Sequence, residues 1–278
     1  MDHFKNLEIL GSGMGYRQPL RDELIFDHSD VDFVEVIGEH FMGKADFTYT
    51  ELKEVLEEYT VIPHFIGLSL GSSKGVNKSY VESIAKILDE IDPPYWSEHI
   101  AFTECHGLEI GHLTPLPYTE EALEIFNRNI ETVRSIIQRP LILENITYIL
   151  DDPIKKMSEA EFLNNLFHEN QDIGMLLDIT NLYINSKNHN YDYREWLKTI
   201  DTGRVVQIHY VGHDERNGLL IDNHSYPTQD GIWDIMRYIK SVCPNLKGSI
   251  LERDNKFDSM DALRAETRKA KEILFHES

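Results

Sequence analysis

Val205-Val-Gln-Ile-His-Tyr-Val-Gly-His-Asp214, continued after a glycine-bearing turn by Ile221-Asp-Asn-His224, begins as an apolar run and ends in ionisable groups. Val205, Val206, Ile208 and Val211 give it strand character, because branched side chains fit a pleated, buried surface. Sixteen residues, from 209 to 224, then deliver His209, His213, Asp214, Asp222 and His224. All five are metal-ligand types. Asp222 and His224 stand two apart, so in an extended segment both side chains leave the same face and can grip one ion. Taken one at a time, each reads equally well as a surface residue of a polar loop. Whether other strands end the same way decides between the two readings.

Outward from this stretch, seven more apolar, β-branched runs recur: Leu7–Leu10 leading into Gly11-Ser-Gly-Met-Gly15, Val31–Ile37, Val61–Leu70, Tyr95–Phe102, Leu141–Leu143, Ile173–Ile179 and Gly248–Leu251. Between them lie segments with apolar residues at helical spacing, such as Thr50–Tyr59, Ser79–Ile91, Glu120–Ile137, Glu159–Asn170, Tyr191–Ile200, Gly231–Val242 and Ser259–Leu274. Strand and helix in alternation imply parallel pairing, and eight such units in roughly 250 residues is the size of a (β/α)8 TIM barrel. No linker, low-complexity tract or strong repeat interrupts the pattern, so one domain over residues 1–278 is expected.

In such barrels the chemistry sits where strands end and the next loops begin. Those ends carry Glu35, Glu39 and His40 around strand two, His64 on three, and Glu98 and His99 on four. Strand five ends in Glu144-Asn145, six in Asp178 followed by Asn181, seven in His209, and eight in Glu252-Arg-Asp254. An apolar strand has no structural use for a charge at its end. Carboxylates desolvated together are costly unless a cation offsets them. His64, His99, Glu144, Asp178, His209, Asp222, His224 and Glu252 are too many for one octahedral ion, which implies two or three metals with a bridging carboxylate. Imidazole and carboxylate without thiolate suits iron, manganese or zinc and argues against an iron–sulfur cluster. His189 and Asn181 are candidates to complete a third site, and His213 and His40 belong beside the metals or in the substrate pocket. Arg17 is placed either to hold a substrate carboxylate or to face solvent. His3, His28, His106, His112, His168 and His276 are read as surface residues.

Bulk composition narrows the partners. The 278 residues hold 48 acids against 27 Lys plus Arg, a net charge of −21, which repels phosphate backbones and anionic lipid. No apolar run is long enough to span a bilayer, so neither nucleic acid nor membrane is expected. Two cysteines, Cys105 and Cys243, and the absence of a signal-like start point to a reducing, cytoplasmic setting. Gly11-Ser-Gly-Met-Gly15 lacks dinucleotide-loop spacing.

Gly13-Met-Gly-Tyr-Arg17, Ser97-Glu-His-Ile100, Leu143-Glu-Asn145, Leu177-Asp-Ile-Thr-Asn181, Ile208-His-Tyr-Val-Gly-His213, Ile221-Asp-Asn-His224 and Glu252-Arg-Asp254 occur in one chain, in this order. Together they resemble the multinuclear non-heme iron-dependent oxidative enzymes, the methanobactin-maturase family, from about residue 9 to residue 275. The resemblance implies a TIM barrel related to endonuclease IV and xylose isomerase. It implies one iron on His64, His99 and Glu144, and a second on Glu144, Asp178, His209 and Glu252. A third would rest on Asp222 and His224 with Asn181 or His189. It further implies a mixed ferrous and ferric set, dioxygen as co-substrate, hydrogen abstraction from the β-carbon of a ribosomally made precursor peptide, often at cysteine, and a partner protein that presents the leader. His40 and Arg253, where many relatives carry Asn and Trp, point to a branch with its own substrate.

The rival on the same scaffold is a zinc or manganese hydrolase, or a sugar isomerase or epimerase. The net charge counts against DNA. An isomerase needs a Lys or further His beside the metals, for which only His213 and His40 stand available. A binding or storage barrel has no evident use for a multinuclear rim.

Overall fold

In the computed structural model, which describes residues 2–43, 46–105 and 107–276, eight parallel strands close on themselves. The chain runs α1 (Asp2–Lys5), β1 (Gly11–Gly15), α2 (Arg21–Phe26), β2 (Phe33–Ile37), α3 (Asp46–Glu58), β3 (Thr60–His64), α4 (Lys78–Ile91) and β4 (Trp96–His99). A hairpin of β5 (Phe102–Cys105) and β6 (Leu108–Thr114) follows, then α5 (Glu120–Arg134), β7 (Leu141–Glu144), α6 (Glu159–Glu169), β8 (Gly174–Asp178), α7 (Ile179–Asn188), α8 (Tyr193–Thr199) and β9 (Val205–Tyr210). A second hairpin, β10 (Gly212–Arg216) and β11 (Leu219–Tyr226), precedes α9 (Asp230–Val242), β12 (Gly248–Leu251) and α10 (Met260–Leu274). Around the barrel the order is β1, β2, β3, β4, β7, β8, β9, β12, and β12 closes against β1 with Gly11 opposite Gly248 and Met14 opposite Leu251. The (β/α)8 expectation holds. Among the described residues no helix is long and apolar enough to cross a membrane.

Helices form the outer layer because their apolar residues fall on one stripe. In α4, Val81, Ile84, Ile87, Leu88 and Ile91 are buried at spacings of three and four, and Asn77 caps the start by accepting from the Ser79 and Tyr80 amides. α9 buries Ile232, Trp233, Ile235, Met236 and Ile239 in the same way. Inside the barrel lies a separate floor of Phe33, Ile62, Tyr95, Ile142, Leu176, Val206 and Ile250, plugged from below by Phe4. This floor makes the lower half a packed core and leaves only the upper half for chemistry.

Several elements differ from expectation. The first strand is the glycine run itself, not Leu7–Leu10, whose two leucines pack against the floor. A Cβ on Gly13 would sit 2.1 Å from the Phe33 carbonyl oxygen, so only glycine lets β1 approach β2 there. The sixth strand stops at Asp178 rather than Ile179. Its Oδ1 accepts the Asn181 amide at 2.8 Å and so starts α7 at once. Neither hairpin was expected, because the first strand of each, β5 and β10, is only four or five residues long and carries no apolar, β-branched run.

Candidate metal centre at the barrel mouth

Two residues above the floor, the inward positions become ionisable. Phe33 is followed by Glu35, Ile62 by His64, Ile142 by Glu144, Leu176 by Asp178 and Ile250 by Glu252, each pair separated by the strand period of two. His99 closes β4 and His209 lies on β9 beside Asp178 of β8 in register. All seven side chains are buried.

They converge in three groups whose ligand atoms lie within 4.8 Å of one another: His64, His99 and Glu144; Glu144, Asp178, His209 and Glu252; and His224, Glu252 and Asp254. In the first, His64 Nδ1 bonds the Ser97 hydroxyl at 2.8 Å and His99 Nδ1 donates to the Phe65 carbonyl at 3.2 Å. Both Nε2 atoms then face Glu144 Oε2, at 3.5 and 3.3 Å. Burial, with His99 and His209 alongside, holds the His64 pKa well below the usual histidine range, which keeps the ring neutral as a ligand must be.

The second group is the most enclosed. His209 Nε2 faces Glu35 at 2.9 Å, and the same carboxylate accepts from Gln207 at 2.7 Å. The opposite nitrogen, Nδ1, lies 3.0 Å from Glu252 Oε2 and 3.2 Å from Glu144 Oε1. Yet His209 Nδ1, Glu252 Oε2, Glu144 Oε2 and Asp178 Oδ2 are all buried without an aligned hydrogen bond. Burial opposes a charge on His209, but Glu35, Glu252 and Glu144 outweigh it and raise its pKa well above normal. Asp178 is pushed up by burial and by Glu144, Asp222 and Glu252. Glu252 goes the other way: burial would raise it, and His224 and His209 overcome that. These groups satisfy one another only by sharing protons or a cation.

The third group sits at the rim, on β11 and on the loop after β12. His224 Nδ1 is 2.9 Å from Asp254 Oδ2 and 3.7 Å from Glu252 Oε2, while its Nε2 is 2.9 Å from Asp222 Oδ1. Asp222 and His224 thus share one face, as their spacing predicts. His224 adopts a left-handed backbone, φ 50°, a conformation costing a non-glycine residue on the order of 1 kcal/mol. Arg17 clamps Asp254, with Nε donating to Oδ1 at 2.8 Å and Nη2 bonding the same oxygen. A cavity of about 290 Å³ opens above, walled by His112 and Leu113 of β6, Ile146 and Thr147 of the loop after β7, and Asn181.

Four expected residues stand elsewhere or act differently. His189 lies at the C-terminal end of α7, stacked on Tyr148 and bonded through Nε2 to the Tyr148 carbonyl at 2.9 Å, in another cavity. Asn181 does line the metal cavity, with a buried unpartnered Oδ1, but Asp254 is the carboxylate that joins His224 and Glu252. His213 stacks on Tyr183 with centroids 5.5 Å apart and does not line this cavity, because β10 turns it toward α7. His40, carried past β2 by the turn Gly38–Phe41, is exposed and lines a neighbouring cavity with Arg17 and Asp254. Arg253 likewise faces away from the metals, buried against Asp258 and Glu266 at 2.9 and 3.2 Å. Its guanidinium therefore ties the loop after β12 to α10 through Glu266. Of the histidines read as surface, His28, His168 and His276 are exposed, and His112 is exposed on the wall of the metal cavity. His106 and the His3 side chain lie outside the described residues.

Sequence reasoning named Glu35 and Asp254 at strand ends and Ser97 within a motif without giving them a ligand or positioning role, and it did not single out Gln207. Glu35 and Ser97 carried a signal, since both sit on the inward period of a strand whose neighbours were assigned.

A family model described as "RiPP precursor modification enzyme MbnB/TglH/ChrH" matches residues 11–275. A UPF0276 protein of Caulobacter vibrioides is 34% identical over 257 residues, spanning 92% of this chain and 91% of its own length. Another, from Rhizorhabdus wittichii, is 33% identical over 265 residues and 94% of each chain. Among solved structures, D-psicose 3-epimerase of Clostridium cellulolyticum superposes with a TM-score of 0.59 at 10% identity, over 95% of this chain and 96% of its own. Endonuclease IV of Thermus thermophilus does so at 0.57 and 12%, over 94% and 98%. Likeness at that identity is one of fold, which hosts many chemistries. By the span of the sequence match, the chain belongs to the MbnB/TglH/ChrH family of enzymes that modify the precursors of ribosomally synthesised, post-translationally modified peptides.

Proposed function

We propose that this protein is a multinuclear non-heme iron enzyme that uses dioxygen to modify a precursor peptide oxidatively, at a cysteine or a C-terminal residue, with a separate partner protein presenting the leader. One observation carries the reading. His209 Nδ1 faces two carboxylate oxygens at 3.0 and 3.2 Å with no aligned hydrogen bond, beside unpartnered oxygens of Glu144, Asp178 and Glu252. Lone pairs gathered this closely in a dry site repel unless cations lie between them. The donor set suits iron, and also manganese or zinc; the family motifs in the sequence favour iron.

His64, His99 and Glu144 would hold one ion, and Glu144, Asp178, His209 and Glu252 a second. His224, Glu252 and Asp254, with Asp222 at the edge, would hold a third. When bound, the ions supply a one-electron redox couple and a binding place for dioxygen beside the substrate. The chain's own groups do the rest. Glu35 takes the His209 Nε2 proton and so presents Nδ1 inward; Ser97 and the Phe65 carbonyl present Nε2 of His64 and His99. Arg17 balances Asp254. Leu113 and Ile146 exclude water from a cavity sized for the reacting end of a peptide rather than for a folded partner.

Elemental analysis of protein made with iron supplementation should find two or three irons per chain. Full occupancy by zinc alone would overturn the iron reading in favour of a hydrolase. Aerobic incubation with short peptides encoded beside the gene, followed by mass spectrometry, should yield an oxidised product that is absent without oxygen.

A further inference from the structure

On the far side of the loop that brings Ile146 and Thr147 to the metal cavity, the same loop and the other end of α7 enclose a second cavity of about 440 Å³. Tyr118, Tyr148, Tyr191, His189 and Trp196 wall it, and Glu159 sits among them. The Tyr118 and Tyr148 rings stand 6.5 Å apart at 80°, giving two faces at right angles, and His189 stacks behind Tyr148 at 4.4 Å. The Tyr191 hydroxyl is buried with no hydrogen-bond partner of normal geometry.

Glu159 is the anomaly. It is 7% exposed at the first residue of α6, yet that helix is capped by Ser158 and Glu161 in a reciprocal pair, so the Glu159 carboxylate is not needed there. It accepts from Trp196 Nε1 at 3.1 Å and from the Tyr118 hydroxyl, and among the described residues no Lys, Arg or His pairs with it. Lys155, the cation on the cavity rim, is held by Asp151 at 2.6 Å. Burial pushes the Glu159 carboxyl up to about 7 against its two donors, the mark of a charge without a counter-charge. Around it lie ring faces whose quadrupoles are negative, and at the rim Asp151, Asp192 and Glu195. The ring faces and the rim carboxylates disfavour an anion, and Lys155 is already held by Asp151. A neutral apolar occupant would leave the carboxylate uncompensated.

We propose that this cavity is a binding site for an organic cation, an ammonium or guanidinium, whose charge pairs with Glu159 while its flank packs on Tyr118 and Tyr148. Such a cation comes either as a free amine or as the lysine or arginine side chain of a peptide entering the neighbouring mouth. The site is independent of the metals, so it stands or falls separately from the iron reading.

Isothermal titration at pH 8 of the protein as purified, with and without a chelator, uses ethylammonium and methylguanidinium as free cations. End-blocked Gly-Lys-Gly and Gly-Arg-Gly serve as peptide probes, and end-blocked Gly-Gln-Gly as the neutral control. The cations should bind alike with and without metal, and Glu159→Gln should weaken them by about tenfold or more. Tyr148→Leu, which removes one ring face and leaves the carboxylate, should weaken them by roughly threefold to tenfold. Tighter binding of the blocked peptides than of the free cations assigns the site to a side chain; the reverse assigns it to a small amine. Equal binding of the Gln peptide, unchanged affinity in folded Glu159→Gln, or no binding by any cation overturns the proposal.

Discussion

Two acidic cavities lie back to back across the loop between β7 and α6, and they solve the same electrostatic problem differently. At the mouth, five carboxylates and four imidazoles from six strands and a hairpin converge, each too close to the next to be charged alone. Behind the loop, a single buried carboxylate stands among phenols and an indole. Crowded lone pairs at short range call for compact, multiply charged ions, whereas one carboxylate in an aromatic box calls for a bulky single charge. Between these extremes sits the rim group, where Arg17 already offsets Asp254 and His224 faces carboxylates from both nitrogens. Burial opposes charge on His224, but Glu252 and Asp222 raise its pKa well above normal, so the rim can be neutralised by a proton as readily as by a metal. The rim should therefore hold its ion least tightly.

Substitutions can break this contrast, beginning where the effect is greatest. Glu144→Ala removes the carboxylate shared by the first two groups; metal content by elemental analysis should fall to near zero and oxygen consumption should cease, and unchanged loading would refute its bridging place. Glu35→Gln leaves every ligand in position but removes the negative charge, and one of the two accepting oxygens, that orient His209. Chelator competition should read metal affinity lower by roughly 10- to 100-fold, with the melting profile little changed. Asp222→Ala should cost only the rim ion, so that two irons remain per chain; loss of all iron would mean that the groups are not separable. Glu159→Gln should leave metal content untouched and, besides weakening cation binding, change how stability depends on pH. The folded carboxyl titrates at about 7 against an ordinary 4.5, so the wild type has its full contribution below about pH 4.5 and loses it as pH rises through 7. That loss is on the order of 3 kcal/mol. Thermal melts should show the variant gaining on the wild type between pH 5 and pH 8; parallel curves would place the Glu159 titration elsewhere.

Much of the mouth was legible because β-structure is periodic. A carboxylate or imidazole two positions beyond a buried apolar residue on the same strand must point into the barrel, so His64, Glu144, Asp178 and Glu252 could be named from spacing alone, and His209 from its place at the end of an apolar run. Glu35 obeys the same rule and stands among the rim residues, but its role of accepting from His209 is a contact between distant strands that spacing does not show. His189 misled for a geometric reason. It is eleven residues past Asp178, close in sequence, but α7 lies between them and carries the chain roughly 15 Å away from the mouth. His213 and His40 misled because a hairpin and a turn rotate them onto other surfaces, and neither rotation has a strong sequence signal.

From the order of residues alone came the alternation of strands and helices, the number of staves, the ionisable rim and the family, since all of these rest on local period and composition. Folding in three dimensions decided which acid completes the rim group, which nitrogen of each histidine faces inward, and that Glu159 and three tyrosines far apart in the chain enclose one cavity. Those outcomes depend on loop paths and on hydrogen bonds between distant segments, and no local pattern of side chains encodes them.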